Sequence, residues 1–323
     1  MSPSTTQCCA ILLALSSIAS APTQKAQTSQ KDISRELQRL YDEDHQDQDE
    51  WSDENEDEFD RRQTVRRDRV LEILAAGMLG PIEDWSNAAW LLQHGHRAED
   101  YSLAHALSGP PFVQRLTLGG FACAATLDRF LESIERTEIF STQTYTEKPY
   151  PAEAFGAYPS MPDSIRRLFT LDPVAKDAEK PGKGAAKELS KLLKLAQAPG
   201  ASADASAGVP EWLARARGIV TAGGPESEKD YFAAAQILLR SPDANDLLMS
   251  HVCALAAALL KHKEGLSLSA EAFDRFLLAV QRPQIFGTVP GESGDPLEPC
   301  QLAPEVIRKG YGLALEPDKK SSK

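Results

Sequence analysis

The residues with the richest chemistry sit in one stretch. His94 and His96 flank Gly95, His105 follows eleven residues after His94, and Glu99 and Asp100 lie between them. Imidazole and carboxylate are the ligand types that zinc takes, so His94, His96 and His105 form one candidate metal set. Their spacing argues against it, because residues two apart do not share a helix face, and a site would need the turn at Gly95 to fold His94 back onto His105. The alternative places His94 at a helix end, closing it by hydrogen bonding and dipole contact, with His105 as a hydrogen-bonded core histidine. A second candidate set is catalytic. In it His94 acts as general base, Asp128 orients it, Gln143 or Arg129 holds an anionic substrate for hydrolysis, and Gln93, His105 and Thr142 are further candidate binding residues. Its competitor is structural. Asp128 and Arg129 are neighbours on a helix and diverge by about 100°, so each would tie the helix to a different element. No Gly-x-Ser-x-Gly elbow, His-Glu-x-x-His helix, phosphate-cradling Gly loop or dinucleotide fingerprint occurs.

The elements that must hold these residues read as helices. Trp85, Ala88, Ala89 and Leu92 share a face of a helix from about Asp84 to Gln93, stopped by Gly95. A second helix starts near Ala98 to Asp100, where acids suit a helix N-terminus. The Gly109-Pro110-Pro111 run predicts its end. A third spans about Ala122 to Glu135, and Ile139 to Tyr145 reads as a short strand from its β-branched and aromatic content. Upstream, Asp32 is placed to cap a short helix carrying Ile33, Leu37 and Leu40. Asp42 to Asp60 holds twelve acids and no Lys or Arg, which predicts a solvated connector. Its lack of Gly argues against a calcium loop. Ala185 to Ala198 predicts an amphipathic helix, and Pro199 to Pro210 a flexible linker.

The pattern then repeats. With Asp84 set on Asp230, an offset of 146, the 59 positions to Thr142 and Thr288 align without a gap and 17 are identical. The densest block is Asp-Arg-Phe-Leu, Asp128–Leu131 against Asp274–Leu277, and His105 falls on His251. Ile165-Arg166 matches Ile307-Arg308 after a four-residue shift. The second half has Ala where Pro110 and Pro111 stand, so its second helix should run unbroken to about Lys261. The expected fold class is therefore all-α, with a short strand or hairpin after the third helix of each of two duplicated units. The expected units are 65–175 and 211–317, behind a polar 22–64 segment, joined by 176–210 and followed by a disordered tail at 318–323.

The first half carries AAWLLQHG (Ala88–Gly95), EDYSLAH (Glu99–His105), ATLDRFL (Ala125–Leu131) and IFSTQ (Ile139–Gln143). In these motifs it resembles an uncharacterised bacterial domain family. The resemblance covers about Val65 to Pro173 and extends to Leu37–Gln48. The second half is similar to a diverged member, keeping QRPQIFGT (Gln281–Thr288) but with Leu239-Arg240 in place of Gln93-His94. The first half departs from the pattern at Glu138, where the family shows Gln, and at Ser141, where it shows Gly. The resemblance implies a compact helical unit and no established activity, substrate or cofactor.

Composition narrows the function classes. The net charge is 35 − 47 = −12, and the acidic run accounts for all of it, leaving 35 bases against 35 acids elsewhere. With no basic domain or stripe to meet phosphates, nucleic acid is not the expected partner. No apolar run reaches the roughly 18 residues of a membrane span. Cys8 to Ala21 (CCAILLALSSIASA) has the apolar core and small-residue end of a secretory signal. That predicts cleavage after Ala21 and a secreted or periplasmic protein, with a cytoplasmic one as the alternative. Cys123 and Cys253 sit in Ala- and Leu-rich helical segments where a free thiol packs as a small hydrophobe. The expectation is an exported helical protein that binds an unknown protein or small molecule without catalysis and without a cofactor. A hydrolase-like enzyme with its site in the first half is the alternative.

Overall fold

A computed structural model describes residues 29–52, 54–116, 119–143, 155–171, 184–199, 201, 208–290 and 305–313. The signal-like segment, most of the linker and the tail lie outside these. The described residues form twelve helices and no sheet, with an isolated bridge between Phe155 and Tyr158. No helix among them is long and apolar enough to cross a membrane.

The chain order is α1 (Gln30–Asp49), α2 (Glu56–Ala75), α3 (Ile82–Leu92), α4 (Ala98–Val113), α5 (Gly119–Ser133) and α6 (Asp163–Leu168). It continues with α7 (Ala185–Ala196), α8 (Glu211–Thr221), α9 (Glu228–Leu238), α10 (Ala244–Leu259), α11 (Gly265–Ala279) and α12 (Glu305–Gly310). The helix pairs α3/α4, α4/α5, α9/α10 and α10/α11 carry most of the packing. One continuous core runs through Leu107, Phe130, Phe273 and Phe276.

Three expectations change. The acidic run is not a connector. Helix α1 extends to Asp49, capped by a reciprocal pair in which the Ser29 side chain accepts from the Asp32 N–H, so Asp32 is the third helical residue and not the cap. The helix persists because its buried stripe, Ile33, Leu37, Leu40, Asp44 and Asp47, keeps a four-three-four-three spacing into the acidic region. The second change concerns Gly109-Pro110-Pro111, which does not end its helix. Pro110 has no N–H for the carbonyl of Ala106, four residues back. The Tyr311 hydroxyl donates to that carbonyl instead, at 2.8 Å. Gly109 admits the hydroxyl, since a Cβ there would collide with it. Third, Ile139–Gln143, the described part of the expected strand, forms bends and irregular backbone. Its N–H groups turn inward to Asp128 and pair with no strand.

The two halves carry matching backbone features. Left-handed φ values recur 146 residues apart at Gly77 and Gly223, Arg115 and Lys261, Glu135 and Gln281, and Ser141 and Gly287. A bidentate pair between Arg69 and Glu36 ties α2 to α1 at 2.8 Å, and Arg215 and Glu188 tie α8 to α7 at 2.5 and 3.1 Å. Contacts between the halves are reciprocal. Arg136 donates to Asn245 at 2.7 Å, and Arg282 and Glu99, each 146 residues from its counterpart in that pair, lie 3.7 Å apart.

Candidate functional site

The side chains common to both halves have structural partners. Asp128, fully buried, accepts from the N–H groups of Ile139, Phe140 and Thr142 and from the Thr142 hydroxyl, at 2.8–3.0 Å. Asp274 accepts from Ile285, Phe286 and Thr288 in the same way. Burial pushes the Asp128 carboxyl up to about 6, opposed by these donors. The Asp274 carboxyl is raised for the same reason. Arg166 and Arg308 then donate to the carbonyls of Phe140 and Phe286. Thr142 is thus part of a turn clamp. Gln143 completes it: its N–H meets Glu138 at 3.0 Å, as Val289 meets Gln284 at 2.9 Å, and its amide reaches Thr142 Oγ1 at 3.0 Å.

His105 and His251 face each other across the halves, Nε2 to Nε2 at 2.7 Å, both about 1% exposed. Each Nδ1 lies against a carbonyl, Cys123 at 3.0 Å and Ser269 at 2.8 Å. Burial lowers both imidazoles, His251 to about 4 and His105 well below its usual range, the latter further through His251. Two neutral rings carry two N–H groups for three contacts. Thr126 Oγ1 lies 3.4 Å from His105 Nδ1 and donates to the Ala122 carbonyl at 2.8 Å; the corresponding residue in the second half is Ala272. Phe273 packs on both rings. His105 is therefore a core residue and stands apart from His94.

His94 belongs to a different cluster, which sequence reasoning missed. Its Nδ1 lies 3.0 Å from Oδ2 of Asp44, a fully buried carboxylate on α1. Trp90 Nε1 donates to the same oxygen at 2.8 Å. Arg66 of α2 sits between Asp44, at 3.5 Å, and Asp47, to which it is closely paired; Arg62 donates to Asp47 at 2.7 Å. Burial pushes the Asp44 carboxyl up, but His94 and Trp90 outweigh it and hold the group below the ordinary carboxylate range. His45 stacks on Trp90, with ring centroids 4.4 Å apart. The second half lacks this cluster, with Gln236 and Arg240 where Trp90 and His94 stand and Trp212 for Arg66. The signal that would have found it is the heptad-like stripe of α1, where Asp44 and Asp47 fall on the apolar face.

The remaining expected site residues scatter. The Gln93 carbonyl accepts from Arg129 at 3.0 Å, joining α3 to α5. Among the described residues no hydrogen bond links His94 to Asp128, Arg129, Thr142 or Gln143, so the catalytic set built on Asp128 is not assembled. His96 is exposed, and no group of three or more His, Cys, Asp or Glu side chains among the described residues is arranged to hold a metal ion. Cys123 and Cys253 are buried free thiols, each pushed up to about 12 by desolvation. No protein-family model, curated protein or solved structure matches the chain.

Proposed function

We propose that this protein is an exported, non-catalytic binding or scaffold module, made of one helical unit present twice, with ligand recognition placed in the first half. The observation that carries the reading is the state of Asp128. A carboxylate that takes four hydrogen bonds from its own turn is occupied in holding that turn and is not placed to orient a histidine. Duplication is supported by the recurrence of that clamp, of the paired histidines and of the left-handed residues at one constant spacing. Export rests on the Cys8–Ala21 segment. Recognition belongs in the first half because the Asp44–His94–Trp90 cluster exists there alone among the described residues.

One observation favours the second reading, a hydrolase-like enzyme. A buried carboxylate 3.0 Å from a histidine ring nitrogen is the arrangement that orients a general base, with Asp44 in the place expected for Asp128. A single experiment separates the two readings. The full-length protein and its His94→Ala variant are assayed against chromogenic acyl and phosphoryl esters, with a thermal-shift screen of small metabolites in parallel. The binding reading expects ligands that raise the melting temperature and no turnover above buffer. Turnover that disappears in His94→Ala would replace it with the enzyme.

A further inference from the structure

Beside the Asp44 cluster, a cavity of about 280 Å³ opens between α1, α3, α4 and α5. That volume is near the lower end of ligand pockets, roughly 300–1,000 Å³. Tyr41 and Trp90 supply aromatic wall, and the Asn87 and Gln38 amides, bonded to each other at 3.2 Å, supply polar wall. Glu83, in the first turn of α3, contributes the one charged group among the described lining residues, and no Lys or Arg is among them.

Two residues of its wall are smaller than their counterparts in the second half. Ser86 and Ala122 line it, and Phe232 and Leu268 occupy the equivalent positions. There Phe232 stacks on His262, the equivalent of Leu116, with ring centroids 3.7 Å apart and planes 15° from parallel. The second half thus has an aromatic pair at the Ser86 and Leu116 positions, while Gln236 and Leu268, at the Trp90 and Ala122 positions, line an opening of about 350 Å³ with different walls.

Building on the binding reading above, we propose that this cavity is a binding site for a small organic cation with an aromatic or compact apolar body, such as an arylalkylamine. The aromatic walls take the apolar body, and an ammonium group is attracted to electron-rich ring faces. The Trp90 N–H donates to Asp44, and with one indole face stacked on His45 the cation meets the other. Glu83 meets the charge at the mouth. An anion would face that carboxylate with no base to answer it. The bound cation touches Trp90 and thereby adjoins the Asp44–His94 pair, which connects the cavity to the feature that distinguishes the first half.

The test is a fluorescence and calorimetric titration of the full-length protein with phenylethylamine, benzyl alcohol and benzoate at one ionic strength. Saturable binding is expected to rank amine over alcohol over benzoate, and to quench the Trp90 contribution, identified by its loss in Trp90→Phe. Glu83→Gln, at an exposed position, should weaken the amine by roughly two- to fivefold, the range of an exposed charge contact, and leave the alcohol unchanged. Ser86→Phe, which copies the second half, should abolish binding of both with an unchanged melting temperature. The proposal is overturned if the amine shows no saturable binding, if amine and alcohol bind equally in wild type and Glu83→Gln, or if binding survives in folded Ser86→Phe. A different compound that raises the melting temperature in both wild type and Ser86→Phe would sink this site and leave the broader binding reading standing.

Discussion

Single side chains hold this protein's irregular backbone and the seam between its halves. Asp128 has fixed donors on both carboxylate oxygens. In Asp128→Asn one oxygen becomes an NH2 that must face a donor, whichever way the amide is turned. A loss of about 2–4 kcal/mol is expected, read from the urea midpoint, and Asp274→Asn should behave alike. Ser141 holds φ +56, whereas its counterpart Gly287 holds φ +63 without a Cβ. Ser141→Gly should therefore gain up to about 1 kcal/mol, the relief of left-handed strain offset by glycine's entropy. No gain would mean that Ser141 makes a compensating contact. The histidine pair fixes a pH response. The His251 imidazole is depressed to about 4, so the unfolded chain takes up protons first. The pair's contribution is therefore full above the unfolded value near 6.5 and is lost as pH falls towards 4. The Asp128 carboxyl, raised to about 6, has the opposite sign: its contribution is full below the unfolded value near 3.8 and is lost as pH rises through about 6. The histidine term is isolated by following the ring carbons of His105 and His251 by NMR. Both should stay neutral at pH 5.5, and titration of either near 6.5 would contradict the buried pair.

At the scale of elements, helix α4 shows how a local breaking signal is overridden. Two prolines remove N–H groups from its last turns, yet the helix continues because Tyr311, from the far end of the chain, donates to the Ala106 carbonyl. Tyr311→Phe should cost about 1–2 kcal/mol in wild type. It should cost less in Pro110→Ala, where the N–H at residue 110 is restored. Additive losses in that double-mutant cycle would show that the hydroxyl does not serve the missing proline bond. Helix α1 gives the complementary case. Composition alone predicts solvated aspartates there, whereas the four-three spacing carries Asp44 and Asp47 onto the buried face. Arg62 and Arg66, one turn apart on α2, receive the buried acids of α1.

On the whole-molecule scale, the two halves meet through reciprocal contacts, Arg136 to Asn245 and Arg282 to Glu99, around the His105–His251 pair. Phe130 and Phe273 pack edge to face within the same core. Separating the halves would expose these rings and the buried imidazoles to water. One cooperative unfolding transition is expected for the full chain, with calorimetric and van't Hoff enthalpies in agreement. Two resolved transitions would show that the halves unfold as independent units.

Much of this molecule was readable from the residues alone. Periodicity located the helices around Leu37 and Trp85, because a 3.6-residue repeat is a short-range property written along the chain. The 146-residue correspondence, Asp128 with Asp274 and His105 with His251, needed only alignment. What pairs with what was decided by the tertiary structure. No local pattern places His94 beside Asp44, 50 residues earlier, or His105 beside His251, and none announces that Tyr311 would sustain a helix through two prolines. Those partnerships depend on how helices pack, and packing sums weak contacts from segments far apart in the chain, which spacing within any one segment does not encode.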